Sequence, residues 1–139
     1  MKTLITLALL FQFTAAFAVQ NPKEVMDDYL QIQTLLAHDT YAGVTDAAAK
    51  MSKSANSRME AGLSQAAKKL ATAKDLAEAR SEFEKVSTQA LKLAYFKSKK
   101  NAEVETVYCP MKKVSWVQKK GPIENPYYGK EMLECGVKK

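Results

Sequence analysis

The sequence contains little of several residue types, and each shortage narrows the possible functions. Among its 139 residues are two cysteines, one histidine and one tryptophan. It has no Gly-rich phosphate loop, no H-E-x-x-H zinc motif and no Cys-x-x-Cys redox pair. A cysteine nucleophile would also need a base, and the single histidine lies far from both cysteines in the sequence. These shortages predict a protein that is not an enzyme.

The chain also lacks a concentrated charge of one sign. The formal net charge is +6, and the lysines are spread along the whole sequence. The densest run, Lys97-Ser98-Lys99-Lys100, is typical of a solvated helix end, where cations complement the helix dipole. Basic and aromatic residues do not alternate as they do in proteins that bind single-stranded nucleic acid. We therefore expect no nucleic-acid partner.

Long apolar runs are absent except at the start of the chain. Lys2 precedes an apolar stretch at residues 4–16, and Ala16-Phe17-Ala18 fits a small-x-small cleavage site. The stretch is too short for an ordinary membrane span, and no second candidate follows. We predict a cleaved signal peptide at residues 1–18. Residues 19–139 would then form one exported domain, periplasmic or secreted, without stable membrane insertion.

Capping patterns and apolar spacing predict four helices between residues 22 and 100. Residues 21–24, 57–60 and 75–78 each fit a capping box, and a fourth start is predicted at Asp39 or Thr40. The clearest apolar stripe consists of Leu76, Ala79, Phe83, Val86, Ala90 and Leu93, and it continues toward Phe96. Because the connections are short, we predict a mainly α fold, an antiparallel four-helix up-and-down bundle.

A different pattern begins near Val104 and extends to the end of the chain at residue 139. Val104, Thr106 and Tyr108 alternate with other residues as in a half-buried strand, and residues 114–118 fit a partner strand. Gly and Pro mark turns at 121–122 and 125–126, and residues 130–133 fit a final helical turn. We expect a small C-terminal β-hairpin and turn appendage. It must pack on the bundle or be stapled, because an isolated hairpin is marginal in water.

This tail holds both cysteines, and each lies close to a methionine. The sequence reads Cys109-Pro110-Met111 at one end and Met132-Leu133-Glu134-Cys135 at the other. Thiolate and thioether are soft ligands that favour Cu(I) or Ag(I). An extended backbone at the first pair, or a helical turn at the second, would place both sulfurs on one side. These patterns predict a metal site formed by Cys109, Met111, Met132 and Cys135.

The same cysteines also fit a disulfide. An exported protein meets an oxidising compartment, where disulfides form and persist. A Cys109–Cys135 bond would close a loop of about 27 residues and contribute roughly 3–4 kcal/mol of stability. The protein would then be a non-catalytic structural or protein-interaction module. The two interpretations can coexist as redox states, because only a reduced pair can bind a metal.

Three aromatic residues and the histidine could contribute to a site. Trp116, Tyr127 and Tyr128 could shield a soft cation with their ring faces. They could instead be apolar anchors that hold the tail to the helices, and we favour this role. His38, between the first two predicted helices, could be a fifth ligand, although capping a helix end is the commoner role at such a position.

The tail resembles two kinds of known sequence. Tyr108-Cys109-Pro110-Met111 resembles the start of the heavy-metal-binding domain on periplasmic adaptors of copper and silver efflux pumps. Lys112, however, stands where that motif has histidine, and one cysteine replaces its Cys-x-x-Cys pair. The longer pattern is similar to the domain-of-unknown-function family numbered 3347. It comprises Cys109-Pro110-Met111, Trp116, Ile123, Asn125-Pro126-Tyr127-Tyr128-Gly129, Met132-Leu133 and Cys135-Gly136.

The resemblance implies a helical domain with this tail, which in that family occurs alone or attached to heavy-metal efflux adaptors. It also implies that the four sulfur residues are the ligands. We therefore expect a periplasmic accessory protein that binds Cu(I) or Ag(I) in metal efflux or homeostasis. A periplasmic efflux component is the expected partner.

Overall fold

The computed structural model describes residues 21–97 and 100–139, so the predicted signal peptide lies outside the described residues. The helices are α1 (Pro22–Ala37), α2 (Val44–Ser54), α3 (Ala61–Leu70) and α4 (Leu76–Ala90). The strands are β1 (Val104–Cys109), β2 (Val114–Lys119) and β3 (Val137–Lys138). This confirms a mainly helical fold with a small C-terminal β structure. None of the helices in the described ranges is both long enough and apolar enough to cross a membrane.

The predicted helix caps form at three positions. The side chains of Ser57 and Glu60 each accept the other's backbone amide, and this capping box begins a single 3₁₀ turn that leads into α3. Asp75 caps α4 by accepting the Glu78 amide at 2.8 Å. At α1, the Asn21 side chain accepts the Lys23 amide at 3.2 Å. Each cap uses residues within one helical turn, so the sequence is sufficient to predict it.

Two predicted helix limits are wrong. Helix α2 does not begin at Asp39 or Thr40 but at Val44, after Gly43 with φ of 88°. The Asp39 carboxylate cannot cap a helix because Arg80 and the Lys130 amide already bind it. Helix α4 ends at Ala90 and does not continue to Phe96, which lies in a separate 3₁₀ turn. This break is accompanied by an edge-on contact between the Phe96 and Tyr29 rings, whose centroids are 4.9 Å apart.

The helices pack in the order of the sequence, with α1 on α2, α2 on α3 and α3 on α4. Helices α1 and α4 touch each other little, and β2 packs against both. Tyr29 marks this junction. Its hydroxyl shares a hydrogen bond of 2.8 Å with Ser87 of α4 and accepts the Val117 amide of β2 at 3.1 Å. The sheet therefore completes the hydrophobic core.

The sheet has the strand order β2-β1-β3, and both pairs are antiparallel. In the β1–β2 hairpin, Val104 pairs with Lys119 at one end and Cys109 pairs with Val114 at the other. Both strands of the hairpin were predicted. The sequence did not predict β3, which has only two residues and no alternating pattern. The predicted helical turn at residues 130–133 is a 3₁₀ turn at Gly129–Met132.

Candidate functional site

The sheet brings the two cysteines together. Cys109 is the last residue of β1, and Cys135 comes just before β3, which pairs with the other edge of β1. Because Tyr108 pairs with Val137, the two thiol-bearing segments lie side by side. The Sγ atoms are 3.9 Å apart and both cysteines are free. Cys109 is buried and Cys135 is half-buried.

This separation suits two ligands of a single ion. A metal bound to both sulfurs at about 2.3 Å, with the sulfurs left in place, would make an S–metal–S angle of about 116°. That angle lies between the tetrahedral and trigonal values. A disulfide has an S–S distance of about 2.05 Å, so the sulfurs would have to approach each other before they could bond. The geometry therefore holds the thiols ready for a shared ion and close enough to oxidise after a small movement.

The hairpin loop gives Cys109 a polar contact at its sulfur. The loop closes with a hydrogen bond of 2.8 Å from the Lys113 amide to the Cys109 carbonyl. Lys113 has φ of 61°, and the Lys112 amide points at Cys109 Sγ from 3.5 Å. This N–H group gives the buried Cys109 sulfur a polar partner. The loop thus helps to fix the position of the Cys109 side chain.

Asn125 positions Cys135 from the other side. Its Nδ2 donates to the Cys135 carbonyl at 2.7 Å, and its backbone amide donates to the Leu133 carbonyl at 2.7 Å. Its Oδ1 accepts the amides of Tyr127 and Tyr128. The residue is fully buried. In the sequence, Asn125 marks a turn and belongs to the tail pattern. Its hydrogen bonds to the Cys135 segment were not predicted, although asparagine before proline is a known signal for side-chain hydrogen bonding in turns.

Gly136 allows the Cys135 segment to lie flat on the sheet. A Cβ atom at this position would lie 2.6 Å from Cγ1 of Val107 and 3.0 Å from Cη2 of Trp116. Both distances are shorter than an ordinary van der Waals contact, so any side chain would push the segment away. Glycine here therefore keeps Cys135 within reach of Cys109.

The two methionines have different environments. Met111 lies at the tip of the hairpin and is 64% exposed. It therefore does not fill a gap in the core, which is the usual role of methionine. Met132 is half-buried at the end of the 3₁₀ turn. The structure brings the two thiols together and leaves the Met111 side chain largely in solvent.

Lys112 directs its charge toward helix α4. Its Nζ lies 3.4 Å from a carboxylate oxygen of Glu84 and 5.9 Å from the centre of the Tyr127 ring. Glu84 therefore offsets part of the positive charge that replaces the histidine of the efflux-adaptor motif. This pairing reduces the repulsion that Lys112 would exert on a bound cation.

The Cys135 thiol holds its proton more tightly than usual. Burial raises the pKa of this thiol, and the hydrogen bond and charge of Cys109 raise the pKa further. A metal must displace the proton, because a thiolate is the form that coordinates. A metal that bound this pair would therefore release protons, and its binding would strengthen as the pH rises.

The aromatic residues lie in the core beside this pair. Trp116 is fully buried and its ring meets Tyr127 edge-on, with centroids 6.0 Å apart. The Tyr127 ring also contacts the Phe83 ring of α4, with centroids 6.1 Å apart. The Trp116 indole N–H donates to the Gln118 side chain. Tyr128 is half-buried. Trp116 and Tyr127 therefore connect the tail to helix α4.

A polar clamp fixes the far side of the tail to the helices. Arg80 of α4 donates to the carbonyls of Leu36 and Pro126 at 2.8 and 3.0 Å and pairs with Asp39. Gly129, with φ of 61°, lies so close to Asp39 and Arg80 that a side chain would clash with both. The fold therefore requires glycine there.

His38 follows α1 as its C-terminal cap residue, and its ring contacts the tail. The Nε2 atom lies 3.2 Å from a carboxylate oxygen of Glu124. The ring is therefore placed beside a carboxylate and not beside sulfur. His38 therefore connects the end of α1 to the loop before Asn125.

Across residues 21–97 and 100–139, no group of three or more His, Cys, Asp and Glu side chains is arranged to hold a metal ion. An ion at the thiol pair would therefore have two thiolates and further ligands of another kind, such as thioether sulfur. Thiolate and thioether sulfur together would form a soft ligand set, of the kind that Cu(I) and Ag(I) prefer.

Comparison with known proteins found no match. No family model fits the chain, and neither the curated proteins nor the solved structures include a significantly similar one. The resemblance to the domain-of-unknown-function family numbered 3347 stays a prediction.

Proposed function

We propose that this protein binds a soft metal ion, Cu(I) or Ag(I), through Cys109 and Cys135. The observation that carries the proposal is the pair of free thiols held 3.9 Å apart at the end of the sheet. In this account the protein is a non-catalytic accessory to heavy-metal efflux or homeostasis. It works in the periplasm after removal of its signal peptide, and its partner is a periplasmic efflux component.

Met111 and Met132 complete the proposed site. Met111 is 64% exposed, so its side chain can turn toward the thiols without losing contacts in the core. Met132 is in the turn that leads to Cys135, whose amide donates to the Met132 carbonyl at 3.1 Å. Two thiolates and two thioethers form a soft ligand set that discriminates against Zn²⁺, Ca²⁺ and Mg²⁺.

The helices have a supporting role in this proposal. We retain the predicted up-and-down arrangement of four antiparallel helices, because helices adjacent in sequence pack on each other and their connections are short. The helical layer holds the sheet through β2 and the clamp at Arg80. The sheet in turn holds the two cysteines in register.

A structural or protein-interaction module is the second candidate, and the same thiol separation supports it. Oxidation would convert Cys109 and Cys135 into a disulfide that staples the tail, and the helical surface would recognise a partner. The number of free thiols in protein isolated from the periplasm distinguishes the two functions. A protein that is isolated fully oxidised, and that does not bind Cu(I) after it has been reduced, would favour the interaction module.

The methionines provide a specific test. We expect the double substitution Met111→Leu and Met132→Leu to weaken Cu(I) binding by about tenfold or more, as loss of groups around a metal site commonly does. Folding should change little, because leucine and methionine have similar volumes. The measurement is a Cu(I) titration of reduced protein against a competing chelator.

Met59→Leu is the matched control. Met59 is 81% exposed in the 3₁₀ turn before α3, so its loss removes a surface thioether without touching the tail. The control should bind Cu(I) like the parent. Equal affinity of the parent and the double variant would show that the thioethers are not ligands.

A further inference from the structure

A trough runs along α1 at the opposite end of the hairpin from the thiol pair. It consists of two hollows of about 680 and 360 Å³ that share Asp27, Leu30 and Lys119. Asp27, Leu30 and Thr34 recur at steps of three and four along one stripe of the helix and line the second hollow. The lining from Lys23 to Leu35 extends about 18 Å at the helical rise per residue.

The walls of this trough carry an excess of positive charge. Lys23 and Asp27 form an ion pair at 2.7 Å, so their opposite charges cancel. Lys100, Lys119 and Lys120 also line the larger hollow and are exposed. Within residues 21–97 and 100–139 these three lysines form no ion pair, and Glu103 is the one other carboxylate in the lining. The unpaired lysines therefore favour an anionic ligand.

The end of β2 at Lys119 adds main-chain groups to the trough. The Val117 amide faces α1, since it donates to Tyr29, and the Lys120 amide faces β1, since it donates to the Glu103 carbonyl at 3.0 Å. Residues alternate between the two edges of an antiparallel strand, so the N–H and C=O of Lys119 face the same side as Val117. Tyr29 occupies the Val117 amide, so the main-chain groups of Lys119 are the part of this edge that an extended chain could pair with.

We propose that the trough binds an extended acidic segment of a partner protein. Carboxylates of the segment would meet Lys100, Lys119 and Lys120, and its backbone would run beside the edge of β2. Met26 and Leu30 supply an apolar floor for an occasional apolar side chain. A length of about 18 Å accommodates five or six extended residues at about 3.3 Å each.

The observations favour a peptide over a lipid. Met26 and Leu30 are 6% and 7% exposed, so this apolar floor is large enough to contact a single side chain but too small to cover an acyl chain. The β-strand edge at Lys119 matches the amide groups of a peptide, which a lipid lacks. The charge, the main-chain groups and the length all fit one elongated polar ligand.

The test is fluorescence anisotropy with a labelled acidic peptide of about eight residues in which glutamate and leucine alternate. Eight extended residues span about 26 Å at the strand rise per residue, so the peptide fills the trough and two or three residues extend beyond it. The protein should bind this peptide, should not bind the lysine–leucine counterpart, and should lose affinity as salt is added. Triple substitution Lys100→Glu, Lys119→Glu and Lys120→Glu should weaken binding by about tenfold or more.

The matched control is Lys53→Glu, Lys68→Glu and Lys69→Glu. These exposed lysines lie in α2 and α3, and their substitution changes the net charge by the same amount. Circular dichroism should show that both variants remain folded. No peptide binding, equal loss of affinity in both variants, or competition by phosphatidylglycerol vesicles that bind better than the peptide would overturn the proposal.

Discussion

Asn125 is fully buried, and both ends of its side-chain amide are hydrogen bonded. One end holds the Cys135 carbonyl and the other holds the Tyr127 and Tyr128 amides, so one side chain fixes three parts of the tail. At the scale of single residues, the candidate site therefore depends on a side chain that is not itself a ligand. Gly136 and Gly129 act similarly, because each leaves room for a close approach that a side chain would prevent.

Substitution of Asn125 by alanine tests this role. The change leaves buried backbone groups without partners, which costs about 1–3 kcal/mol of unfolding free energy. Urea unfolding of the reduced protein measures the loss. Asn56→Ala is the control, because Asn56 is exposed and follows α2. If the two variants were equally stable, the buried amide would not support the tail.

A second prediction concerns the raised pKa of the Cys135 thiol. The folded reduced protein holds this proton more tightly than the unfolded chain, whose thiol has an ordinary pKa of about 8.5. The stabilising contribution is therefore complete below that pKa and is lost as the pH rises through the higher pKa of the folded state. We expect the stability of the reduced protein to fall from about pH 8 upward. The fall should be smaller in Cys135→Ser, and equal pH profiles of the two proteins would contradict it.

At the scale of elements, Tyr29 joins α1, α4 and β2 through one hydroxyl. Burial raises the pKa of this phenol to about 12, so the hydroxyl stays neutral and available as a hydrogen-bonding group across the physiological range. Its partners are the Ser87 hydroxyl and the Val117 amide. The sheet thus enters the core through a specific polar contact as well as through apolar packing.

Tyr29→Phe should lower the unfolding free energy by about 1–3 kcal/mol, because the buried Val117 amide would lose its acceptor. Thermal or urea unfolding provides the measurement. Tyr108→Phe is the control, since Tyr108 is half-buried and its ring contacts Lys139 with Nζ 4.6 Å from the ring centre. A Tyr29→Phe protein as stable as the Tyr108→Phe protein would show that the hydroxyl does not hold the elements together.

The elements differ in how far the sequence predicts them. Caps at Ser57 and Asp75 form between neighbours in the chain, so their patterns are sufficient. The start of α2 was predicted wrongly because Asp39 binds Arg80 and Lys130, which are distant in sequence. Strand β3 exists through its pairing with Val107 and Tyr108, and two residues give no pattern of their own. Pairing between distant segments is the information that the local sequence lacks.

At the scale of the whole molecule, the helical layer and the sheet form one core, and the two proposed sites lie at opposite ends of the β1–β2 hairpin. The thiols are at the Cys109 end, and the basic trough is at the Val104 and Lys119 end. A six-residue strand separates them by about 16 Å at the strand rise per residue. The two proposals can therefore be tested with variants that do not overlap.

The sequence predicted the residue types of the candidate metal site but could not show how near they are to each other. The prediction named four sulfur residues, and the sheet register places Cys109 and Cys135 in contact. The environments of Met111 and Met132 depend on the hairpin tip and the 3₁₀ turn, so the sequence could not fix them. The role of Asn125 was also hidden, because it acts through the backbone of Cys135 ten residues away.

The most direct measurement of the central claim is a Cu(I) titration of the protein against a competing chelator, with reduced and oxidised samples side by side. The account predicts tight binding of one ion by the reduced protein and none by the oxidised protein, because a disulfide leaves no thiolate to coordinate the metal. Binding by neither sample, or equal binding by both, would contradict the assignment of Cys109 and Cys135 as the metal ligands.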